Sequence, residues 1–237
     1  MAKFALITGA ADRIGKSFAL ALAKMDYNIF LHYNTSKEKA EDTATLIEKM
    51  GQTCILKQAN FKKEEQVTQY IADCCHEGDL EILINNASNF IESNFETVGS
   101  TLLDDLYTVN FKAPYILTKQ FASQCRKGLI INMLDTKIKQ YKTKHLDYLL
   151  TKKSLEDFTY LSATHLAPDI RVNGIAPGLI LPPEDKSDDY LEEMAKGIPL
   201  QKRGDLEHLV QALKLLVENP FITGEVITVD GGEHLNI

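Results

Sequence analysis

The chain has 237 residues, of which 44% are hydrophobic and 25% are charged, and its formal net charge is −7. That length suits one large domain with a well-buried core or two small ones. The negative charge argues against a nucleic-acid surface, which would concentrate Lys and Arg. The local run of Lys137, Lys139, Lys142 and Lys144 is therefore interpreted as a solvated loop. No apolar run approaches the roughly 20 residues that a membrane helix needs.

The cysteines and the N-terminal segment indicate a reducing, cytoplasmic setting. The four cysteines contain no C-x-x-C pair and have no His at metal-ligand spacing, so we expect free thiols and no metal site. The first apolar stretch runs directly into Asp12 and Arg13 without a cleavage site, which is unlike a secretory signal.

Short apolar strands alternate with longer amphipathic stretches along most of the chain. Strands are predicted over 4–8, 29–33, 54–57, 81–85, 129–133, 170–175 and 226–229. Helices are predicted from about 14 to 22 and over 37–50, 64–75, 101–125, 145–166 and 206–217. This alternation predicts an α/β protein with a doubly wound parallel sheet, a Rossmann fold. No linker, repeat or low-complexity tract interrupts it, so we expect a single domain over 1–237.

One segment, 181–200, interrupts the alternation. It opens on Pro182-Pro183 and carries an acidic run from Glu184 to Asp189 before a short helical stretch. Ligands of doubly wound sheets bind beyond the carboxyl ends of the strands, and this segment follows such an end. We therefore predict that it is a substrate loop that acts as a lid.

A glycine-containing turn joins the first strand to the first helix. Gly9 would allow a sharp turn, and Gly15, next to Ile14, would bring the helix start close to the sheet. The backbone N–H groups at that helix start would then face the phosphates of a dinucleotide. The position of this turn, at the start of an α/β chain, predicts a dinucleotide site.

The end of the second strand favours NADP(H) over NAD(H). An NAD site places a carboxylate there for the ribose 2′-hydroxyl, whereas an NADP site supplies a cation. The chain has no acid here before Glu38, and Arg13 and Ser36 could bind a 2′-phosphate. The strand end that would line the adenosine side is His32-Tyr33-Asn34-Thr35-Ser36.

Tyr148 and Lys152 lie four residues apart on a predicted helix, so their side chains share one face. An unperturbed Tyr has a pKa of about 10, which suits proton transfer near neutrality poorly. We expect the Lys152 ammonium to stabilise the phenolate and to lower the pKa of Tyr148.

Together these motifs resemble the short-chain dehydrogenase/reductase family over 8–232. The motifs, in the family's order, are Thr8-Gly9…Gly15, Asn85-Asn86-Ala87, Asn110, Tyr148-x-x-x-Lys152, Arg171-Val172-Asn173, Pro177-Gly178 and Asp230-Gly231-Gly232. The resemblance implies that Asn86 and Ala87 line the adenosine side and that Asn110 holds a water that links Lys152 to a proton relay. It also implies that Lys152 binds the nicotinamide ribose, and that the enzyme is a homotetramer or a homodimer. The segment implied to back the nicotinamide is Pro177-Gly178-Leu179.

Three positions depart from that family's common pattern. Arg13 stands where a third glycine is usual, and Asn60 stands where an Asp usually contacts adenine. Asp135 falls where the family has its catalytic Ser, whose hydroxyl donates a hydrogen bond to a substrate carbonyl. An ionised Asp has no hydrogen to donate, so it suits a substrate with N–H groups, or else a site that keeps the acid protonated.

Two of these departures, Arg13 and Asp135, resemble the pteridine reductase branch of the family, which has the same Asp-Tyr-Lys arrangement. That branch is similar in having the turn Arg, the His-Tyr-x-x-Ser strand end, and Asn-Asn-Ala-Ser-x-Phe after the fourth strand. The resemblance implies that Phe90 stacks on a pterin and that Ser88 contacts the cofactor or the pterin. It also implies that Asp135 and Tyr148 contact the substrate. Thr35 stands where this branch often has an Arg, so one contact to the 2′-phosphate is lacking.

Three functions follow as alternatives. The first is NADPH-dependent hydride transfer to the C=N carbon of a dihydropterin or dihydrofolate, with Tyr148 as proton donor. The second is a 3-oxoacyl-type carbonyl reductase. The third is a non-catalytic NADP(H)-binding protein, against which the complete Asn110, Tyr148 and Lys152 set argues.

Overall fold

The computed structural model describes residues 2–93, 96, 99–141, 144–182 and 188–235. The strands, numbered in chain order, are β1 Lys3–Ile7, β2 Asn28–Tyr33, β3 Cys54–Gln58, β4 Asp79–Asn85, β5 Gly128–Met133, β6 Ile170–Pro177 and β7 Val226–Val229. The α-helices are α1 Arg13–Ala23, α2 Lys37–Glu48, α3 Glu64–Val67, α4 Tyr70–Glu77, α5 Ser100–Tyr107, α6 Ala113–Gln124, α7 Leu146–Leu166, α8 Asp188–Ala195 and α9 Leu206–Glu218. A π-helical turn, Thr108–Lys112, joins α5 to α6, and 3₁₀ helices cover Thr136–Lys139 and Glu233–Leu235.

In the described part of the chain, the seven strands form one parallel sheet in the order β3-β2-β1-β4-β5-β6-β7. The order reverses between β1 and β4, which pair from Lys3 opposite Asp79 to Ile7 opposite Ile84, with a register shift between Phe4 and Ala5. A doubly wound sheet opens a crevice at such a reversal, beyond the carboxyl ends of the strands. The predicted Rossmann fold is therefore confirmed, and the turns after β1 and β4 meet at its binding edge.

Two apolar layers cover the sheet, one on each face. On one face, α1 and α9 pack together against the strands, with Phe18, Leu22 and Leu213 fully buried between them. On the other face, α4 and α6 contribute Ile71, Cys74, Leu117 and Phe121 to a second buried cluster. Burying such a side chain contributes roughly 1.5–3 kcal/mol. Because both faces of the sheet are covered, the sequences of its central strands are continuous apolar runs instead of alternating apolar and polar residues.

The structure divides two of the predicted helices. The predicted helix 64–75 is α3 and α4, separated at Gln69, whose backbone is not helical (φ −115°, ψ 3°). The predicted helix 101–125 runs through the π-helical turn between α5 and α6. A π turn inserts one residue into an otherwise continuous helix. The prediction from helical spacing ran through this irregularity without detecting it.

The predicted substrate loop lies only partly within the described residues. Residues 183–187, with most of the acidic run, fall outside them, and the described remainder includes α8. Among the described helices, none is both long and apolar enough to cross a membrane. The described residues also contain no cluster of His, Cys, Asp and Glu that could hold a metal ion.

Candidate active site

The glycine turn after β1 is shaped by backbone contacts that exclude larger residues. Gly9 has a φ of +64°, and a Cβ there would lie 3.0 Å from the Cα of Ala87. A Cβ on Gly15 would lie 2.8 Å from the Cα of Ala10, closer than real Cβ atoms come to backbone. Helix α1 therefore starts directly against the turn, and its N–H groups open onto the binding edge.

The end of β4 is bonded to this turn. The Asn86 side-chain amide donates to the carbonyls of Thr8 and Gly9 at 2.9 and 3.0 Å. The Thr8 hydroxyl accepts from the backbone N–H groups of Asn86 and Ala87 at 2.8 and 2.9 Å. Asn86 and Ala87, which the sequence assigns to the cofactor, therefore also hold the ends of β1 and β4 together.

A cavity of about 360 Å³ opens at this edge. It brings together the predicted cofactor residues Gly9, Arg13, Ile14, Gly15, His32, Tyr33, Asn34, Ser36, Asn60, Asn86, Ala87 and Ser88. Its lining also includes Ala11, Asp12, Ala59, Phe61, Lys62, Asn89 and Val109, which the sequence analysis did not assign. Most of these lie on the same loops as assigned residues, so adjacency in sequence was the available signal.

His32 lines the cavity but uses both ring nitrogens within the protein. Nδ1 accepts from the N–H of Gly9 at 2.9 Å, and Nε2–H donates to the Ala59 carbonyl at 3.0 Å. The ring stacks on Phe61, with 4.0 Å between the ring centroids. Burial lowers the pKa of His32 to about 4. The imidazole is therefore neutral, and it supports the glycine turn rather than offering a positive charge to a phosphate.

Arg13 adopts the left-handed backbone region, with a φ of +55°, which explains why related turns have glycine there. Its guanidinium donates to the Pro182 carbonyl at 2.8 Å, across the mouth of the site. The preceding Asp12 accepts from the Arg13 N–H at 2.7 Å and pairs with Lys39 at 2.6 Å. The hydrogen bond from Lys39 is the main cause that lowers the pKa of Asp12. The turn therefore carries three charged groups, two of them positive.

Two further predicted cofactor residues have side-chain roles that the structure defines. The Asn60 side chain accepts from the Lys62 N–H at 3.0 Å, which fixes the loop after β3. Ser36 precedes α2, yet its hydroxyl does not cap the helix. Ser36 lines the cavity, and its hydroxyl is not engaged in capping α2.

The predicted catalytic group meets where β5 ends and α7 begins. The Tyr148 hydroxyl donates to Asp135 Oδ2 at 3.1 Å, and Asp135 Oδ1 accepts from the Lys137 N–H at 2.8 Å. The Lys152 ammonium donates to the Met133 carbonyl at 2.8 Å and lies 5.7 Å from the centre of the Tyr148 ring. The structure thus brings the three predicted residues together: Asp135 and Tyr148 are hydrogen-bonded to each other, and Lys152 lies beside the Tyr148 ring.

The expected lowering of the Tyr148 pKa is wrong for this structure. Burial, followed by the neighbouring Asp135 charge and its hydrogen bond, raises the pKa of Tyr148 well above 10. Burial also lowers the pKa of Lys152 to about 8, although the charge of Asp135 opposes the shift. Burial and the adjacent carboxylate, rather than the ammonium of Lys152, therefore set the direction of the Tyr148 shift. Tyr148 therefore keeps its proton at neutral pH, as a proton donor must.

Asn110 lies in the π-helical turn and is fully buried. Its Oδ1 accepts from the Asn89 N–H at 2.7 Å and the Ser88 hydroxyl at 3.2 Å. Its Nδ2 donates to the Asn89 carbonyl at 2.9 Å and to the Thr151 hydroxyl at 3.2 Å. These four bonds use the whole capacity of the amide. Asn110 therefore clamps the loop that follows β4, and the water that the resemblance assigns to this residue stays a prediction.

That loop carries Phe90, whose side chain is 48% exposed. Its ring meets Tyr148 edge-on, with 4.8 Å between centroids, and tilts against His145 at 4.4 Å. An exposed aromatic ring beside a buried hydroxyl forms an open apolar wall next to the proton donor. The sequence analysis did not assign His145, whose left-handed backbone (φ +63°) precedes α7.

Pro177, Gly178 and Leu179 lie at and just after the end of β6, outside the lining of the main cavity. A Cβ on Gly178 would lie 2.5 Å from the Cβ of Asp230, so only glycine fits at this point. β6 neighbours β5, which leads to Asp135. These residues therefore lie on the catalytic side of the binding edge.

Comparisons with known proteins agree with this geometry. The family model described as short chain dehydrogenase matches residues 3–190. The chain is 31% identical over 244 residues to a 3-oxoacyl-[acyl-carrier-protein] reductase of Staphylococcus epidermidis, covering 99% of this chain and 100% of that protein. It is 32% identical over 280 residues to pteridine reductase 1 of Leishmania tarentolae, covering 99% and 97%.

Solved structures give the same result. The crystal structure of FolM alternative dihydrofolate reductase 1 from Brucella suis in complex with NADP is similar, with a TM-score of 0.94 and 32% identity. That alignment covers 99% of this chain and 97% of that one. From the fold, the site and these relatives, we conclude that the chain belongs to the short-chain dehydrogenase family of NAD(P)-dependent oxidoreductases.

Proposed function

We propose that the protein is an NADPH-dependent reductase of a dihydropterin-type substrate, with Tyr148 as proton donor. The observation that carries this proposal is the Asp135 carboxylate, which accepts from the Tyr148 hydroxyl at 3.1 Å. A ketone needs a hydrogen-bond donor at that position. A pterin ring instead presents N–H groups, which a carboxylate accepts well.

The described site fits NADP(H). The Gly9 and Gly15 contacts leave a cradle that any Cβ would fill. No acid lies in the cavity at the end of β2, and Arg13 and Ser36 line the same cavity. The similar FolM protein of Brucella suis was solved in complex with NADP. By these arguments, Arg13 and Ser36 hold the 2′-phosphate, and His32 and Asn86 support the turn.

When bound, NADPH supplies the hydride, which goes to the carbon of the substrate C=N bond. Tyr148 donates its proton to the ring nitrogen, and its raised pKa keeps that proton available at neutral pH. Asp135 accepts an N–H of the ring and orients it. Lys152, with a pKa lowered to about 8, can return a proton to Tyr148 and binds the nicotinamide ribose.

Phe90 and the loop residues around it hold the substrate. The exposed Phe90 ring covers the flat pterin from the side opposite the nicotinamide, which Pro177, Gly178 and Leu179 support. Ser88 contacts the cofactor or the pterin. Asn110 fixes this loop through Asn89. Segment 181–200 acts as the lid, and its start is bonded to the cofactor turn through Arg13 and Pro182.

A second candidate function is reduction of a 3-oxoacyl group. The similarity to the Staphylococcus epidermidis reductase, at 31% identity, favours it as much as the similarity to pteridine reductase 1 favours a pterin. Asp135 argues against it, because both of its oxygens accept hydrogen bonds, as an ionised carboxylate does. The assembly as a homotetramer or homodimer and the cytoplasmic location stay predictions from the sequence.

Steady-state NADPH oxidation tests the proposal. We expect turnover with at least one of dihydrobiopterin, dihydromonapterin and dihydrofolate, and lower kcat/KM with NADH. An acetoacetyl thioester and a simple ketone serve as alternative substrates. Turnover of the thioester with no turnover of any dihydropterin would overturn the pterin assignment in favour of carbonyl reduction. Cofactor binding with no turnover of any substrate would favour the non-catalytic alternative.

A further inference from the structure

The proposed mechanism leaves the buried carboxylate of Asp230 without a role. Asp230, at the end of β7, belongs to the Asp230-Gly231-Gly232 motif, and its side chain is only 3% exposed. Oδ2 accepts from the Thr136 hydroxyl, from the His234 N–H at 2.8 Å and from the His234 ring at 2.8 Å. Oδ1 accepts from the Gly232 N–H at 2.9 Å. This carboxylate thus gathers four donors, one from the segment after β5 and three from the chain just beyond Asp230 itself.

These donors hold Asp230 as a carboxylate. Burial alone would raise the pKa of Asp230, but the hydrogen bonds from Thr136, Gly232 and His234 outweigh burial and lower it. A buried charge is tolerated only when its hydrogen bonds are complete. The network is therefore rigid, because moving any one donor leaves a buried charge incompletely satisfied.

The segments joined by Asp230 are those that surround the proposed chemistry. Thr136, fully buried, directly follows Asp135 in the chain. Each of these two neighbours has its own hydrogen bond: Asp135 accepts from the Lys137 N–H, and Thr136 donates to Asp230. A second bond joins the same segments, from the Gln140 side chain to the Glu233 carbonyl at 3.0 Å.

Asp230 also touches the turn after β6. The Gly178 N–H donates to the Val229 carbonyl at 3.0 Å, directly before Asp230. A Cβ on Gly178 would lie 2.5 Å from the Asp230 Cβ and 2.8 Å from its Cα. One residue therefore packs against the turn proposed to support the nicotinamide and bonds the segment that bears Asp135. A shift of Asp230 would move both parts of the site.

We propose that Asp230 is a positioning residue that holds Asp135 against Tyr148 through the Thr136 hydroxyl, while its backbone fixes the turn at Gly178. It touches neither substrate nor cofactor. Its effect is on the geometry of proton transfer, where a displacement of about 1 Å can cost up to 100-fold in rate. This inference rests on the proposed function only for the identity of the substrate.

Thr136→Val tests the proposal, because valine keeps the shape of threonine and removes the hydrogen bond. We expect kcat to fall about tenfold, with the Kd for NADPH within about twofold of wild type. Thr136→Ser restores the hydroxyl and is expected to restore kcat to within about twofold. Thr159→Val is the matched control, since Thr159 is equally buried but lies three turns along α7 from Tyr148. It is expected to lower the Tm while keeping kcat.

Asp230→Asn supplies a second variant should Thr136→Val fail to fold, and it too is expected to lower kcat about tenfold. Because both changes break one hydrogen bond, the double variant is expected to lose no more than the worse single variant. Wild-type kcat in either folded single variant, or no rescue by serine, overturns the proposal. An equal fall in kcat for Thr159→Val also overturns it, because that result indicates a general loss of stability.

The same experiment separates this proposal from the proposed function. If the wild-type enzyme reduces an acetoacetyl thioester and no dihydropterin, the pterin assignment fails. The kcat comparison then continues with the thioester, because Tyr148 donates the proton in either reaction. Positioning by Asp230 is thus supported or overturned whichever substrate is turned over.

Discussion

The cofactor side and the catalytic side of this site are built on different physical principles. On the cofactor side, the absence of side chains at Gly9 and Gly15 allows the tight turn. The side chains of His32 and Asn86 form hydrogen bonds to the backbone of that turn. On the catalytic side, Asp135 and Tyr148 are hydrogen-bonded and Lys152 lies beside them, and burial strongly shifts the pKa values of Tyr148 and Lys152.

This difference indicates which changes affect folding and which affect chemistry. Several motif residues on the cofactor side are structural supports, so their replacement should first reduce stability. The residues on the catalytic side decide where a proton goes, so their replacement should first reduce turnover. This distinction fails if replacing a structural residue on the cofactor side changes kcat alone, or if replacing Tyr148 mainly changes stability.

The largest expected effect is that of Tyr148→Phe. Removing the hydroxyl removes the proton donor, and general acid catalysis contributes roughly 10²–10⁴-fold. We expect kcat to fall about 10³-fold, with NADPH affinity nearly unchanged, as measured by single-turnover kinetics and fluorescence titration. Tyr160→Phe is the control, since Tyr160 lies on the same helix, is exposed, and donates its hydroxyl hydrogen to Glu156. Comparable losses in the two variants would contradict the role of Tyr148.

The next effect concerns His32 and acid stability. The folded protein holds the pKa of His32 at about 4, below the ordinary 6.5. Between these pH values the unfolded chain binds a proton that the folded chain does not, so the free energy of unfolding decreases as pH falls from 6.5 to 4. The change is on the order of 3 kcal/mol, and it is absent above pH 6.5.

Urea unfolding at pH 7.5 and pH 4.5 measures this loss. We expect His32→Phe to be less stable than wild type at pH 7.5, because the bonds to Gly9 and Ala59 are lost. Its stability should nevertheless depend less on pH over this interval. An unchanged pH dependence would show that the buried imidazole does not control acid stability.

The smallest expected effect concerns Lys39, which neutralises Asp12 beside the phosphate end of the cavity. Removing the ammonium leaves a carboxylate facing the cofactor, and an exposed pair of this kind contributes roughly 0–1 kcal/mol. We expect Lys39→Ala to raise the KM for NADPH about fivefold, and that for NADH less. Lys37→Ala is the control, because Lys37 pairs with Glu41 on the same helix. Equal effects of both variants would rule out a local role for Lys39.

The sequence predicts the cofactor side and the catalytic set better than it predicts how each residue works. Strands are read correctly because buried parallel strands are continuous apolar runs, and the cavity contains the assigned turn residues. The pKa of Tyr148 was predicted in the wrong direction, because the distance to Asp135 and the depth of burial are tertiary quantities. The clamp made by Asn110 was missed for the same reason, since its four bonds join it to residues 88–89 and to Thr151, which are distant from it in the sequence.

The central claim is that Asp135 selects a nitrogen-rich ring over a ketone, and Asp135→Ser tests it most directly. The kcat/KM of wild type and variant is measured with a dihydropterin and with an acetoacetyl thioester, with NADPH saturating. We expect the variant to lose about 100-fold on the dihydropterin, which is about 2.7 kcal/mol of transition-state stabilisation, and to keep or gain activity on the thioester. Equal or higher activity of the variant on the dihydropterin would contradict the claim.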